Sequence, residues 1–470
     1  MSSLFAGVSA PAPGLSSPDR AIRFLVLAAA LCFSPGSLAV RADSAEAETE
    51  PARLATINYG TETEIAALIE SLQNEQTDSL DSELIVLARD TRNRSILQKL
   101  FDFFGSRDKT GLEERAIRSI EERDQETNET VIAAVNYLGR IKAKDAVEPL
   151  RKLVAAKERR FMVSAIQALG KVSAADRGTA DETAEFLAAY YTGEEPPDEY
   201  RRDIIVAIGE TTSTVGIPFL AGIVSGMENR VTLRMAALDA LSKIGDKEGL
   251  PVIIAAVSDT DPNARSSAVA ALGPFAGDDV DKAILEAFRD SYYRTRVSAA
   301  QASRARRLEA AIPYLKFRCE HDDVPQVRDE AIRALGAINT REAAGILTAL
   351  FENRKSSDAV RIRAAEMLIA NDAEACIEKV IAELDDAKSR NQSTLYNGLL
   401  KIAGAAKSNQ LESLARRFLG SGDIIECSFA LDIAANNNFR GLVEEIRPLT
   451  ESKNASLARK ARLALDTLGQ

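Results

Sequence analysis

Six arginines recur through the middle of this 470-residue chain at nearly constant spacing. Arg201, Arg234, Arg265, Arg296, Arg328 and Arg361 lie 33, 31, 31, 32 and 33 residues apart. Six positions before the first five of them stand Glu195, Glu228, Asp259, Asp290 and Asp322. Two kinds of chemistry suit such columns. A stripe of guanidinium groups alone binds an anionic ligand. A matching stripe of carboxylates turns the same arginines into a ladder of ion pairs between neighbouring segments, with the acids capping helices. The carboxylates keep the period of the arginines, which partner binding would not require, so the ladder is the expected arrangement.

The remaining reactive side chains are few. The single histidine, His321, stands beside Asp322 and Asp323 and reads as a surface residue. Cys32, Cys319, Cys376 and Cys427 form no CxxC pair and show no metal-ligand spacing. The last three read as buried small hydrophobes in preference to disulfide partners. The sequence holds no Gly-rich phosphate loop, no GxSxG elbow and no His-based triad. No catalytic residue, metal or cofactor is therefore expected. A net charge of −11 gives no general excess of cation for a phosphate backbone, so nucleic acid is not an expected partner.

The elements that position these columns follow from composition and period. Apolar residues make up 46% of the chain, yet aromatics are only 5% and tryptophan is absent. The apolar mass is Ala, Leu, Ile and Val, which suits closely stacked helices better than a sheet core. VRDEAIRALGAI from Val327 has near copies in ARSSAVAALGPF from Ala264, LRMAALDALSKI from Leu233 and MVSAIQALGKV from Met162. VIAAVNYLGRI from Val131 and VRIRAAEMLIA from Val360 are looser copies. The Leu-Gly junction of these stretches falls at Gly139, Gly170, Gly209, Ser242, Gly273 and Gly336, mostly 31 to 33 residues apart. A fixed period of this length marks a solenoid.

Each unit reads as two helices. Val327, Ala331, Ala334, Leu335 and Ile338 form one apolar stripe, and Gly336 is expected to interrupt this first helix near its end. Asn339 and Thr340 are placed to cap the second, which carries Ala344, Ile346, Leu347 and Leu350. Pro149, Pro218, Pro251 and Pro313 fall in the first turn of the second helix, where a missing N–H costs little. One hairpin cannot bury both of its apolar faces, so each must stack on its neighbours. The expected fold is all-α: a solenoid of about 11 to 12 stacked antiparallel helix pairs over residues 61–470, extrapolated from the repeat period. Weaker capping repeats are expected over 61–126, the clearest over 127–370, and degenerate repeats with a C-terminal cap over 371–470.

One unit is longer than the rest. Gly170 and Gly209 are 39 residues apart, and the extra length includes Tyr190, Tyr191, TGEEPPDE and Tyr200. Proline, glycine and acid predict a surface loop there. Its tyrosines suit a protein contact, or else pack on helix ends as a tolerated insertion.

The N-terminus has the features of an export signal. Arg20 and Arg23 flank an apolar run from Phe24 to Phe33, with Pro35, Gly36 and small residues after it, so residues 1–42 read as a signal peptide. Cleavage is expected after Ala39 or Ala42. Cys32 offers an alternative, a lipid anchor. Residues 43–60 follow as an acidic, unstructured lead-in. No other segment is apolar and long enough to span a bilayer.

The pattern V-R-x-x-A-x-x-A-L-G followed by a second apolar helix resembles HEAT repeats, from about Leu80 to the C-terminus. The period is similar to the shorter variety named after phycobilisome lyases. The resemblance implies a curved right-handed superhelix with its second helices lining the concave face. It implies no particular ligand. Some HEAT-like proteins are enzymes. The di-iron site of deoxyhypusine hydroxylase needs repeated His-Glu pairs, and the HEAT-like DNA glycosylases need tryptophan in a basic groove. Neither set of residues is present here. A phycobilin lyase acts on cytoplasmic or plastid substrates, which an export signal argues against. The function expected is a non-catalytic, exported scaffold of the periplasm or cell envelope that binds a protein partner. A lipidated surface protein of structural or adhesive role is the alternative, and a lyase-type enzyme stands further off.

Overall fold

The computed structural model describes residues 49–469, so the signal-peptide reading of residues 1–42 and Cys32 lie outside the described residues. Every regular element among the described residues is a helix. Antiparallel pairs run from Glu62–Glu75 with Asp81–Asp90 to Ile424–Asn437 with Val443–Ile446, twelve pairs in all, and Ala455–Thr467 closes the row. The helix Glu50–Tyr59 precedes them. That helix corrects the expectation of an unstructured lead-in over residues 50–59; residues 43–48 of that lead-in lie outside the described residues. Its Ile57 is buried, so the segment has apolar surface to gain by ordering.

In most pairs the first, or A, helix is the longer; Met162–Ser173 and Asp358–Asn371 are exceptions, their partners Arg177–Gly193 and Ala373–Ser389 being longer. In Val231–Ile244 the side chains of Leu233, Ala236, Ala237, Leu238, Ala240 and Leu241 are all buried. The second, or B, helix is short in most repeats and in several enters through a 3-10 turn, as at Thr214–Gly216, Lys247–Gly249 and Glu309–Ala311. Pro218, Pro251 and Pro313 occupy the first positions of the B helices that follow these turns.

The Leu-Gly junction does something other than end the A helix. Gly209 and Gly336 are buried inside Asp198–Thr211 and Pro325–Ile338. A Cβ at Gly170 would lie 2.6 Å from the Ala207 carbonyl oxygen, and one at Gly209 would lie 2.7 Å from the Ala240 Cβ. The glycine is a contact point where two A helices touch backbone to backbone. The helix ends three residues later, at a left-handed residue: Thr212 (φ 56°), Gly245 (φ 71°) and Asn339 (φ 53°). Thr340 then caps the next B helix by accepting from the Ala343 N–H at 3.2 Å.

This packing decides the curvature. Successive A helices lie against each other along their length, whereas successive B helices barely meet. A two-layer row bends toward its closer-spaced layer, so the A helices form the inner, concave face. That reverses the arrangement implied by the resemblance to HEAT repeats, and the reason is side-chain volume: Gly and Ala line the A-to-A contacts. Asp102 and Asp239 are exposed on A helices, yet the surrounding protein holds both above the usual carboxylate range. Burial outweighs the nearby charges of Arg140 and Lys99 at Asp102, and of Arg202 at Asp239.

Gly209→Ala is expected to destabilise the chain by about 1–3 kcal/mol, because it forces two A helices apart. Gly222→Ala, on an exposed B-helix position with nothing within 4 Å of a new Cβ, is expected to stabilise by about 0.5–1 kcal/mol. Chemical denaturation of the two variants checks this; equal shifts would show that the A-to-A contact is not tight.

Candidate functional site

Three of the six arginines in the column form true rungs. Arg234 Nη1 meets Asp259 Oδ2 at 2.8 Å. Arg265 donates to both oxygens of Asp290, Nε at 2.7 Å and Nη2 at 3.0 Å. Arg296 grips Asp322 in the same way, at 2.7 and 2.8 Å. Each pair joins the first turn of one A helix to the turn that follows the B helix of its own repeat, and so leads into the next repeat.

Each aspartate also organises its own turn. Its Oδ1 accepts the N–H two residues on: Asp261 onto Asp259 at 2.8 Å, Tyr292 onto Asp290 at 2.7 Å, Val324 onto Asp322 at 3.0 Å. The next arginine then holds the carbonyl of that same aspartate. Arg265 Nη1 lies 3.0 Å from the Asp259 oxygen, and Arg296 Nη1 lies 3.0 Å from that of Asp290. The result is continuous, each turn being clamped by an arginine from either side. Burial pushes Asp290 and Asp322 up, but the hydrogen bonds and charge of Arg265 and Arg296, with the turn N–H groups, outweigh it and hold both carboxyls below the ordinary aspartate value.

The other column members are placed differently. Glu195 and Glu228 are exposed and join no rung. Glu195 has a left-handed backbone, φ 43°, in the lengthened turn. Counting 25 residues on from Arg201 reaches Gly226, which has no carboxylate, and Glu228 falls two residues beyond it. Arg201 instead donates to the Pro196 carbonyl at 3.0 Å and lies over the Tyr191 ring at 5.5 Å. Arg361 pairs with Glu383 of the following B helix at 2.6 Å and donates to the Phe351 carbonyl. Arg328 donates to the Asp322 carbonyl at 2.5 Å.

The tyrosine insertion is mostly helix. Tyr190 and Tyr191 belong to the long B helix Arg177–Gly193, and Tyr200 to the A helix Asp198–Thr211. Tyr191 and Tyr200 are buried, Tyr191 edge-on against Phe219 at 5.1 Å, so they are packing residues and not the exposed contacts of a surface loop. Tyr190 is half-buried. Cys319 and Cys427 are buried free thiols and Cys376 is half-buried. His321 ends a B helix, exposed, with its ring 4.9 Å from Phe317.

Sequence reasoning did not single out the inner face. This face carries charges of both signs, from exposed to buried, that pair across repeats. Lys243 meets Glu210 at 2.5 Å, Arg304 meets Glu330 at 2.7 Å, and Arg363 meets Asp329 at 2.6 Å. Toward the C-terminus this surface opens into a hollow of about 670 Å³ between Asp358–Asn371 and Ser393–Ala405. Ile362, Ile369, Ile402 and Ala405 wall it, with Arg363, Glu366 and Lys401 at its rim. The signal was available in outline, as A-helix positions that interrupt the apolar stripe, but not which face they would occupy.

Asp322→Asn is expected to cost on the order of 3 kcal/mol, since it removes the buried carboxylate that Arg296 grips and leaves that arginine only the exposed Asp323, at 3.2 Å, as counter-charge. Its acid dependence follows from the lowered pKa. The native state binds fewer protons than the unfolded chain, so this stabilisation is complete above the unfolded aspartate pKa of ~3.9 and is lost as pH falls through the lower folded value. Urea titrations of wild type and variant at neutral pH and down through that range should converge as the medium becomes more acid. A constant gap would show that the carboxylate charge contributes nothing.

No curated protein sequence matches the chain. Among solved structures it is similar to Kap121p, at 11% identity and a TM-score of 0.46, over 88% of this chain and 53% of that one. The chain thus spans about half the length of Kap121p. YibA of E. coli matches at 16% identity and a TM-score of 0.37, over 55% of this chain and 95% of that one. Human deoxyhypusine hydroxylase matches at 16% identity and a TM-score of 0.23, over 50% and 99%. The model of one family, described as spirochaete HEAT repeat protein, fits residues 57–464. The repeat, the all-helical row and this match agree: the chain belongs to the spirochaete HEAT repeat protein family.

Proposed function

We propose that this protein is a non-catalytic scaffold of the cell envelope that holds a protein partner along its inner face. The observation that carries the reading is the hollow beside Ile362 and Ile402. An apolar floor ringed by Arg363, Glu366 and Lys401 has the anatomy of a protein-binding patch, apolar at the centre and charged at the rim. Repeat solenoids present such surfaces because stacking leaves one long face of helix positions unpaired. The mixed signs of the inner face suit a polypeptide better than a phosphate backbone, which needs clustered cation. Export rests on Arg20, Arg23 and the run Phe24–Phe33. Among the described residues no helix is long and apolar enough to cross a membrane.

A photo-crosslinking residue in place of Lys401, on the inner face, is expected to yield one dominant protein adduct in cells. The same residue in place of Lys282, exposed on the B helix Asp278–Ala287, is expected to yield none. Adducts from both sites alike, or from Lys282 only, would overturn the inner-face assignment. Fractionation of the same cells tests the location: the chain should appear in the envelope with its N-terminus at Val40 or Asp43, and a full-length cytoplasmic chain would exclude export.

A further inference from the structure

The ladder stops one rung short. Counting 25 residues on from Arg328, as from Arg234 to Asp259 and from Arg265 to Asp290, reaches Asn353. Asn353 holds the place of the missing aspartate structurally as well. It follows the B helix Arg341–Glu352 directly, as Asp322 follows Ile312–His321. Its Oδ1 accepts the Lys355 N–H at 3.0 Å, the turn bond that Asp322 makes with Val324 at the same distance. With Oδ1 so used, Asn353 presents its amide Nδ2, a donor, where Asp322 presents a carboxylate oxygen.

Arg328 is left with one bond, to the Asp322 carbonyl. Its Nε and Nη2 have no partner among the described residues. It is the one column arginine without a carboxylate oxygen within 4.0 Å among those residues: Arg201 has Asp198, and Arg234, Arg265, Arg296 and Arg361 have the partners given above. Arg328 and Asn353 face a common cavity of about 510 Å³, within the ~300–1,000 Å³ of small-ligand sites. Lys355 adds a second cation to its wall, and Leu350 and Val360 supply apolar surface.

We infer that this cavity binds a carboxylate of a partner polypeptide, which takes the place of the missing aspartate and completes the ladder in trans. The two rungs immediately before Arg328 show that an arginine at this position of the A helix receives a planar carboxylate on Nε and Nη2. Glu320 in the same wall repels a dianion more than a monoanion, so a carboxylate is favoured over phosphate. The partner's being a protein rests on the scaffold reading; the carboxylate site itself does not.

The test uses the full chain with labelled arginine, whose Nε–H signals are followed by NMR. The probes are Ac-Ala-Asp-Ala-NH2, Ac-Ala-Ala-Ala-OH, Ac-Ala-Asn-Ala-NH2 and inorganic phosphate. At least one carboxylate peptide is expected to bind at least tenfold tighter than the Asn peptide, and the stronger of the two tells a side-chain carboxylate from a chain terminus. Asn353→Asp supplies the carboxylate in cis. It is expected to raise the melting temperature and to abolish that tenfold preference. Arg328→Gln is expected to abolish the preference without that gain. No preference in wild type, phosphate binding more tightly than both carboxylate peptides, or an undiminished preference in Asn353→Asp would each overturn the site. Crosslinking from Lys401 is unaffected by any of these, so the scaffold reading stands or falls separately.

Discussion

The distance between neighbouring A helices is the constraint from which the rest of the structure follows. Gly139, Gly170 and Gly209 each face an alanine of the next A helix, and a Cβ at any of them would come within 3.1 Å of that neighbour. The B layer has no such contacts, and its helices stand apart. Unequal spacing in two connected layers is curvature. Curvature in turn decides which side chains face into the hollow. Small residues at one position of a repeat therefore set the binding surface at positions they never touch.

The Arg–Asp rungs solve a separate problem. A row of short helices has many turns, and each turn leaves backbone groups to satisfy. In the central repeats one aspartate accepts a turn N–H, receives the arginine of its own repeat and offers its carbonyl to the arginine of the next. Asp290 does all three, with Tyr292, Arg265 and Arg296. Hydrophobic contact between A helices is tolerant of sliding, whereas bidentate pairing is directional. The rungs thus fix register where the apolar contacts fix distance.

Much of this was legible in the sequence. Period, helix pairs and B-helix prolines followed from spacing alone, and so did Arg234, Arg265 and Arg296 with their acids. What failed did so for local reasons. Glu228 keeps the period of the acidic column, but eight residues separate Gly226 from Arg234, against six from Asp259 to Arg265. The longer turn moves the acid out of the clamp, and counting back from the arginine cannot show it. Gly336 looked like a helix end because glycine usually is one; its close approach to Met367 depends on a neighbour about thirty residues away, which no local reading supplies. For the tyrosines beside TGEEPPDE the sequence left open both a protein contact and packing on helix ends; Tyr191 is packed, against Phe219, a partner that only the stacked repeats bring near. The concave face was the least legible feature, since it depends on the difference between two spacings and not on any residue's type.

Regularity and recognition divide the chain between them. Every contact in a solenoid is to a neighbouring repeat, so a departure from the pattern weakens at most two interfaces and leaves the others intact. The regular rungs run from Arg234 to Asp322. Immediately beyond them come the uncompensated Arg328 and then the apolar hollow at Ile362 and Ile402. Turn length links the first of these to the ladder's end: from Asn353 to Arg361 is eight residues, as from Gly226 to Arg234, and in both turns the aspartate is missing. The same two-residue lengthening opens the clamp at either end of the regular segment. On one side the chain fills the gap itself, with Tyr191 and Asp198 around Arg201. On the other it leaves a cation facing a cavity. A rigid central clamp flanked by repeats that depart from it is what a scaffold needs: one part to keep its shape, and another whose unmet chemistry a partner can meet.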